Sequence, residues 1–172
     1  ANGILEHIIC QDVVTFTGSS STGKMLKAHS KLIDESVPFN MEADSLNASI
    51  LGNDAIPGIT EFDLFIKEIQ KEMTVKAGQK CTAVRRIIVP ENLIEDVQNS
   101  LCDRLSKITI GDPSVEGVRM GSLAGKPQLV EVSEKVNDLA ISQEIVYGDL
   151  EHFDVVGADK NVGAFIPPIL FY

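Results

Sequence analysis

The residue of this chain best suited to covalent chemistry is Cys81, in the polar, glycine-containing segment Ala77-Gly78-Gln79-Lys80-Cys81-Thr82. The thiolate is the nucleophilic form, and positive neighbours favour it; Lys80 precedes the cysteine, and Arg85 and Arg86 follow closely. Cys10 stands among apolar residues and Cys102 inside an amphipathic helical pattern, settings in which a thiol acts as a small hydrophobe. Glu42 lies 39 residues before Cys81 and follows Met41 at the end of a β-type run. Parallel-sheet proteins build their sites at such strand ends, and a carboxylate there can serve as a general base. A third candidate is Gly18-Ser19-Ser20-Ser21-Thr22-Gly23, between a strand and a helix. Glycines let the backbone approach an anion, and a helix start offers free N–H groups and partial positive charge. Each of the three has a plainer reading when taken singly: a structural thiol, a surface carboxylate, a turn glycine with capping serines. The glycine segment has neither the usual dinucleotide-fingerprint spacing nor the Gly-Lys-Ser/Thr ending of a P-loop. His7, His29 and His152 have no metal-ligand spacing, so neither a metal site nor a Cys–His dyad is expected.

Composition narrows the class. With 172 residues and 44% apolar content, the chain has the make-up of a globular protein with a sizeable core. The net charge of −10, spread without a run of like charges, argues against a nucleic-acid surface and reads as a solvated exterior. No stretch approaches the roughly 20 apolar residues of a membrane span, and no basic region followed by an apolar one opens the chain, so no membrane association is expected. Three cysteines cannot all pair with one another, which points to reduced thiols and a cytoplasmic setting.

The elements that must position these residues alternate in type. Ile8-Ile9-Cys10 and Val13 to Thr17 read as buried strands, the second stopped by Gly18; a helix capped by the serines runs to about His29, and Val37 to Met41 is a strand. A strand at 49–51 follows, then an amphipathic helix from Glu61 to about Lys76 with Phe62, Phe65, Ile66, Ile69 and Met73 on one face. Strands are expected at 86–89, 108–110, 144–147 and 164–166, with helices through Leu93–Leu105 and about 127–141 between them. The alternation predicts an α/β fold, a three-layer arrangement with a mostly parallel sheet covered on both faces. No internal repeat or low-complexity linker is present. The start in a buried-type strand and the apolar end at Leu170-Phe171-Tyr172 lead us to expect a piece of a longer protein.

In combination these segments resemble the aldehyde dehydrogenase superfamily. Val14-Thr15-Phe16-Thr17-Gly18-Ser19 followed by Gly23 is similar to that family's cofactor-phosphate turn, Glu42 sits where its general-base glutamate ends a strand, and Gly78-Gln79-Lys80-Cys81 matches the segment of its nucleophile. Arg86-Ile87-Ile88-Val89-Pro90, Gly111-Asp112-Pro113, Met120-Gly121-Ser122-Leu123 and Gly163-Ala164-Phe165 with Pro167-Pro168 match later landmarks in the right order. One departure is informative: most members follow the glutamate with Leu-Gly-Gly-Lys, whereas here it is followed by Ala43-Asp44-Ser45-Leu46-Asn47. That segment, with Met73 to Thr82, resembles the branch that oxidises semialdehydes carried as CoA thioesters in aromatic-compound degradation. The phenylacetate ring-opening type is the nearer match, and the benzoate-pathway 3,4-dehydroadipyl-CoA semialdehyde type is the alternative.

The resemblance implies a fold and a mechanism. Residues 1–44 correspond to the tail of a Rossmann-like cofactor domain and 45–172 to a truncated catalytic domain. Cys81 becomes the nucleophile that attacks the aldehyde carbon, and Glu42 the base that deprotonates water to hydrolyse the resulting thioester, a role suited to a partly dry site. The Cys81 backbone N–H is a candidate oxyanion donor. Gly18, Ser19, Thr22, Gly23 and Ala43 become cofactor-binding residues, with NADP favoured over NAD. The parent is expected to be a homo-oligomer, and this segment alone is not expected to turn over. Release of the acyl group to free CoA, and a non-catalytic scaffold, are the competing readings; retention of both Glu42 and Cys81 speaks against the second.

Overall fold

The structure, a computed structural model, describes residues 2–172. It divides into two compact units, Ala1–Ser45 and Leu46–Tyr172.

In the first unit a 3₁₀ segment at Asn2–His7 precedes strand β1 (Val14–Gly18), helices α1 (Ser20–Lys27) and α2 (Ser30–Asp34), and strand β2 (Phe39–Ala43). The β-branched and aromatic run Val14-Thr15-Phe16-Thr17 favours the extended chain, and β1 pairs in parallel with β2, Val14 opposite Phe39 and Gly18 opposite Ala43. Ser19, in extended conformation, caps α1 by accepting from the Thr22 N–H at 3.3 Å. Gly23 lets α1 sit close on the strands: a Cβ there would collide with the Met41 sulfur and approach the Phe16 ring at 3.2 Å.

Two expectations differ here. Residues 8–10 form no strand; Asp12 closes a turn instead, its carboxylate accepting from the Ile9 N–H at 2.8 Å and its own N–H donating to the Ile9 carbonyl at 2.9 Å. Cys10 is consequently exposed, not packed among its apolar neighbours. The helix expected to reach His29 stops at Lys27, because His29 turns extended and caps α2, its ring Nδ1 accepting from the Lys31 N–H at 3.3 Å.

The second unit contains β3 (Asn47–Ile50), α3 (Thr60–Thr74), β4 (Val84–Ile88), α4 (Ile94–Leu105), α5 (Lys126–Ala140), β5 (Ile145–Tyr147) and β6 (Leu170–Phe171). β3 and β4 run parallel, with a register shift between Asn47 and Ala48 that leaves Arg85 without a partner in the ladder. β5 and β6 are antiparallel. The faces at helical spacing, Phe62, Ile66 and Ile69 on α3 and Val97 and Leu101 on α4, belong to one buried cluster with Leu51 and Leu93. Burying each large apolar side chain contributes about 1.5–3 kcal/mol, so this pair of helices anchors the unit.

A second cluster gathers Ile110, Met120, Leu123, Ala164, Phe165 and Ile166. Strands were expected at 108–110 and 164–166, and neither forms. Ile110 makes one parallel bridge to Met120, and the Ala164 carbonyl accepts from the Leu123 N–H at 2.9 Å. These runs are apolar because they fill the core, and a buried irregular segment carries the same pattern as a buried strand. The α/β character holds, but in place of one mostly parallel sheet the strands form three two-stranded ones, β1–β2 and β3–β4 parallel and β5–β6 antiparallel.

Candidate active site

Within the first unit, the register of β1 against β2 brings Gly18 opposite Ala43 and Thr17 opposite Glu42 at the carboxyl ends of both strands. Glu42 is exposed there. The Ser19 hydroxyl, besides capping α1, lies 2.9 Å from the Thr22 hydroxyl and 3.2 Å from that of Ser21. Asp44 completes the turn. It adopts a left-handed backbone (φ 52°), where a side-chain-bearing residue is strained, and its carboxylate accepts from the Ser20 N–H at 3.1 Å. The start of α1 thus takes an anionic oxygen, as helix N-termini do. The chemistry of this turn fits a cofactor phosphate, which must share or displace the Asp44 carboxylate. Asp44 thus holds a backbone conformation that glycine would adopt more freely.

Within the second unit, Cys81 is exposed on the loop between α3 and β4. α3 ends at Thr74, whose hydroxyl donates back to the Gln70 carbonyl at 2.8 Å. The chain then turns through three left-handed residues, Lys76 (φ 53°), Ala77 (φ 52°) and Gly78 (φ 69°). Only the glycine adopts this conformation freely, and such strain persists where surrounding contacts over-determine it. Those contacts are present. Gln79 donates to the Lys76 carbonyl at 2.8 Å, and its side-chain oxygen accepts from the Ala124 N–H at 2.9 Å. Arg85 donates to the Gly78 carbonyl at 2.9 Å. Asn47 Nδ2 donates to the Cys81 carbonyl at 2.6 Å and to the Ala83 carbonyl at 3.3 Å. Glu72 accepts from Lys80 Nζ at 2.6 Å and from the Thr82 hydroxyl at 3.2 Å.

These bonds revise the electrostatic expectation. Lys80 and Arg85 are engaged by Glu72 and the Gly78 carbonyl, so their first task is to hold the loop. The Lys80 ammonium, aided by Thr82, holds the Glu72 carboxyl below the usual carboxylate range. Cys102 behaves as its helical setting suggests: its thiol contacts the Val146 carbonyl at 3.8 Å, and burial pushes it up.

Glu42 and the Gly18–Gly23 turn belong to one unit and Cys81 to the other. Glu72, Asn47 and Asp44 were not foreseen as site residues. Asp44 had a signal in the substitution of a glycine position; Glu72 and Asn47 had none, because no spacing rule links them to Cys81. Among the described residues no group of three or more His, Cys, Asp or Glu side chains converges as a metal site, and no helix is long and apolar enough to cross a membrane.

Known proteins resemble this chain in sequence and in fold. Residues 4–172 match the family described as the aldehyde dehydrogenase family. The chain is 44% identical over 172 residues to a 3,4-dehydroadipyl-CoA semialdehyde dehydrogenase of Aromatoleum evansii, covering all of this chain and 33% of the relative. It is 31% identical over 169 residues to a putative aldehyde dehydrogenase of Staphylococcus haemolyticus, covering 92% of this chain and 31% of the relative. The chain therefore spans about a third of the length of these curated relatives. A betaine aldehyde dehydrogenase from Staphylococcus aureus, solved with NAD+, superposes with a TM-score of 0.80 at 24% identity, over 93% of this chain and 30% of its own; that likeness is one of fold.

Proposed function

This chain belongs to the aldehyde dehydrogenase family, and from that membership we propose that it carries the nucleophile and general base of an NAD(P)-dependent dehydrogenase for a semialdehyde joined to coenzyme A. The observation that carries the reading is the Cys81 loop, an exposed thiol on a strained turn tied down from several sides. The substrate class is supported by the Aromatoleum relative, whose name specifies a CoA-linked semialdehyde. That likeness favours the benzoate-pathway type over the phenylacetate ring-opening type that the motifs first suggested.

Cys81 Sγ bonds to the aldehyde carbon as its proton leaves, giving a thiohemiacetal, and the Cys81 N–H supports the developing oxyanion. A nicotinamide dinucleotide, when bound, would accept the hydride that the thiohemiacetal carbon loses, and that loss leaves the acyl group as a thioester on Cys81. Glu42 removes a proton from water, whose oxygen attacks the thioester on Cys81 and releases the acid and the thiol. Gly18, Ser19 and Thr22 hold the dinucleotide phosphates, Gly23 seats α1 behind them, and Ala43 flanks the turn at the end of β2. Residues 1–44 act as part of a cofactor domain and 45–172 as part of a catalytic domain. We expect NADP to be preferred, in a cytoplasmic homo-oligomer; rates with NADP and NAD measured side by side decide the first point.

The test uses the full-length protein. Cys81→Ala loses aldehyde oxidation by about a hundredfold or more, as removal of a covalent nucleophile does. Glu42→Gln gives a burst of about one reduced dinucleotide per site, then stalls as a thioester. Wild-type turnover by Cys81→Ala overturns the reading. Steady wild-type turnover by Glu42→Gln returns that residue to a surface carboxylate.

A further inference from the structure

We propose that Glu72, near the end of α3, is a positioning residue for Cys81, its two carboxylate oxygens holding the residues on either side of the thiol. The inference rests on reading Cys81 as the nucleophile. Oε1 accepts from Lys80 Nζ at 2.6 Å and Oε2 from the Thr82 hydroxyl at 3.2 Å. One carboxylate therefore bridges the positions immediately before and after Cys81, and a shift of the cysteine backbone must lengthen one of the two bonds.

The pair is set apart by its surroundings. Lys80 and Glu72 side chains are 25% and 16% exposed, whereas Lys107–Asp103 is 68% and 66% exposed. Exposed pairs contribute little because water and side-chain entropy compete with them; a partly buried, charge-assisted pair holds its geometry. Glu72 also projects from a fixed base, since the helix that carries it is locked into the core by Ile66 and Ile69. The loop beyond it runs through left-handed Lys76 and Ala77. The clamp carries the rigidity of α3 past this strained turn to the residue that must meet the aldehyde, where misplacement by about 1 Å can cost a hundredfold in rate.

The experiment uses the full-length enzyme. Glu72→Gln keeps the size of the side chain but removes the ion pair. Its kcat should fall about tenfold or more while KM for the aldehyde stays within about twofold, because nucleophile geometry is lost and substrate contacts are not. The milder Lys80→Met and Thr82→Val variants should each lose part of this, and Glu72→Gln with Lys80→Met should be no worse than Glu72→Gln alone, as members of one contact are not additive. The exchanged pair, Glu72→Lys with Lys80→Glu, should recover most of kcat. A Glu72→Gln enzyme with wild-type kcat overturns the clamp. So does a loss that follows a lowered melting temperature and is not recovered by the exchange. Cys81→Ala, assayed in parallel, separates the two readings: if it is active the nucleophile assignment fails, and if it is inactive while Glu72→Gln is normal the clamp alone fails.

Discussion

Replacing Asn47 tests whether the Cys81 loop is held through its backbone. The Asn47 amide donates to the Cys81 carbonyl at 2.6 Å and to the Ala83 carbonyl at 3.3 Å. A neutral hydrogen bond contributes a net 0.5–1.5 kcal/mol or so; the short bond merits about 1 kcal/mol and the long one less. Water replaces part of what is lost, since the loop lies at the surface. Asn47→Ala should therefore cost about 1.4 kcal/mol, or about tenfold in the ratio of held to released loop. Asn47→Asp keeps the shape but turns an oxygen towards two carbonyl oxygens, so its cost should reach about 2 kcal/mol, roughly thirtyfold. Hydrogen–deuterium exchange reads this directly at the Ala83 N–H, which donates to the Lys80 carbonyl at 3.1 Å. Its exchange should speed up by those factors, while the amides of Ile66 and Ile69 in α3 keep their wild-type rates. Unchanged exchange at Ala83 would mean that the two bonds hold nothing. Uniform acceleration across α3 and α4 would mean a global loss of stability, and either result refutes the reasoning.

Two further outcomes concern the second core and the loop that borders it. A Cβ at Gly111 would fall on the Val156 carbonyl oxygen and lie 2.8 Å from its nitrogen. Those atoms accept from the Asp112 N–H and donate to the Ile110 carbonyl, each at 2.9 Å; Gly111→Ala should cost about 2–3 kcal/mol and lower the melting temperature by several degrees. Asp149 is lowered from 3.8 to about 2, first by the Glu151 N–H and then by the His152 side chain and N–H. A depressed carboxyl contributes its stability above the unfolded value and loses it as pH falls through the folded one. The 149–152 turn should loosen between about pH 4 and about pH 2 by NMR, and Asp149→Asn should abolish that dependence; a wild-type turn unaffected in this window counts against the assignment.

The parts of this protein legible in its sequence are those where one residue type answers one physical demand. Phe62, Ile66 and Ile69 fall on a single helical face, and the structure buries all three. Ser19 was readable as a cap because serine serves the unpaired N–H groups of a helix start. Residues 164–166 misled because burial, not pairing, made them apolar. Cys81 stood out by composition, but its supports did not: Glu72 reaches its neighbours Lys80 and Thr82 across the end of a helix, and Asn47 reaches the Cys81 carbonyl from a neighbouring strand, contacts that exist only once the chain is folded. His29 hid the break between α1 and α2 because histidine is an uncommon cap.

The strain before Cys81 and the tethers around it are two sides of one arrangement. Left-handed conformations at Lys76 and Ala77 cost roughly 1–2 kcal/mol each, and a loop left to itself would relax them by moving the cysteine. The hydrogen bonds from Asn47, Gln79 and Arg85 together are of the same order, so the turn persists only while they stand. Each tether ends on a main-chain atom or a neighbour of Cys81, and none among the described residues ends on the thiol. The backbone that carries Cys81 is thereby held, while none of these tethers engages its exposed sulfur. A purely structural cysteine needs no such provision; Cys102, packed against the Val146 carbonyl with its thiol pushed up by burial, has none.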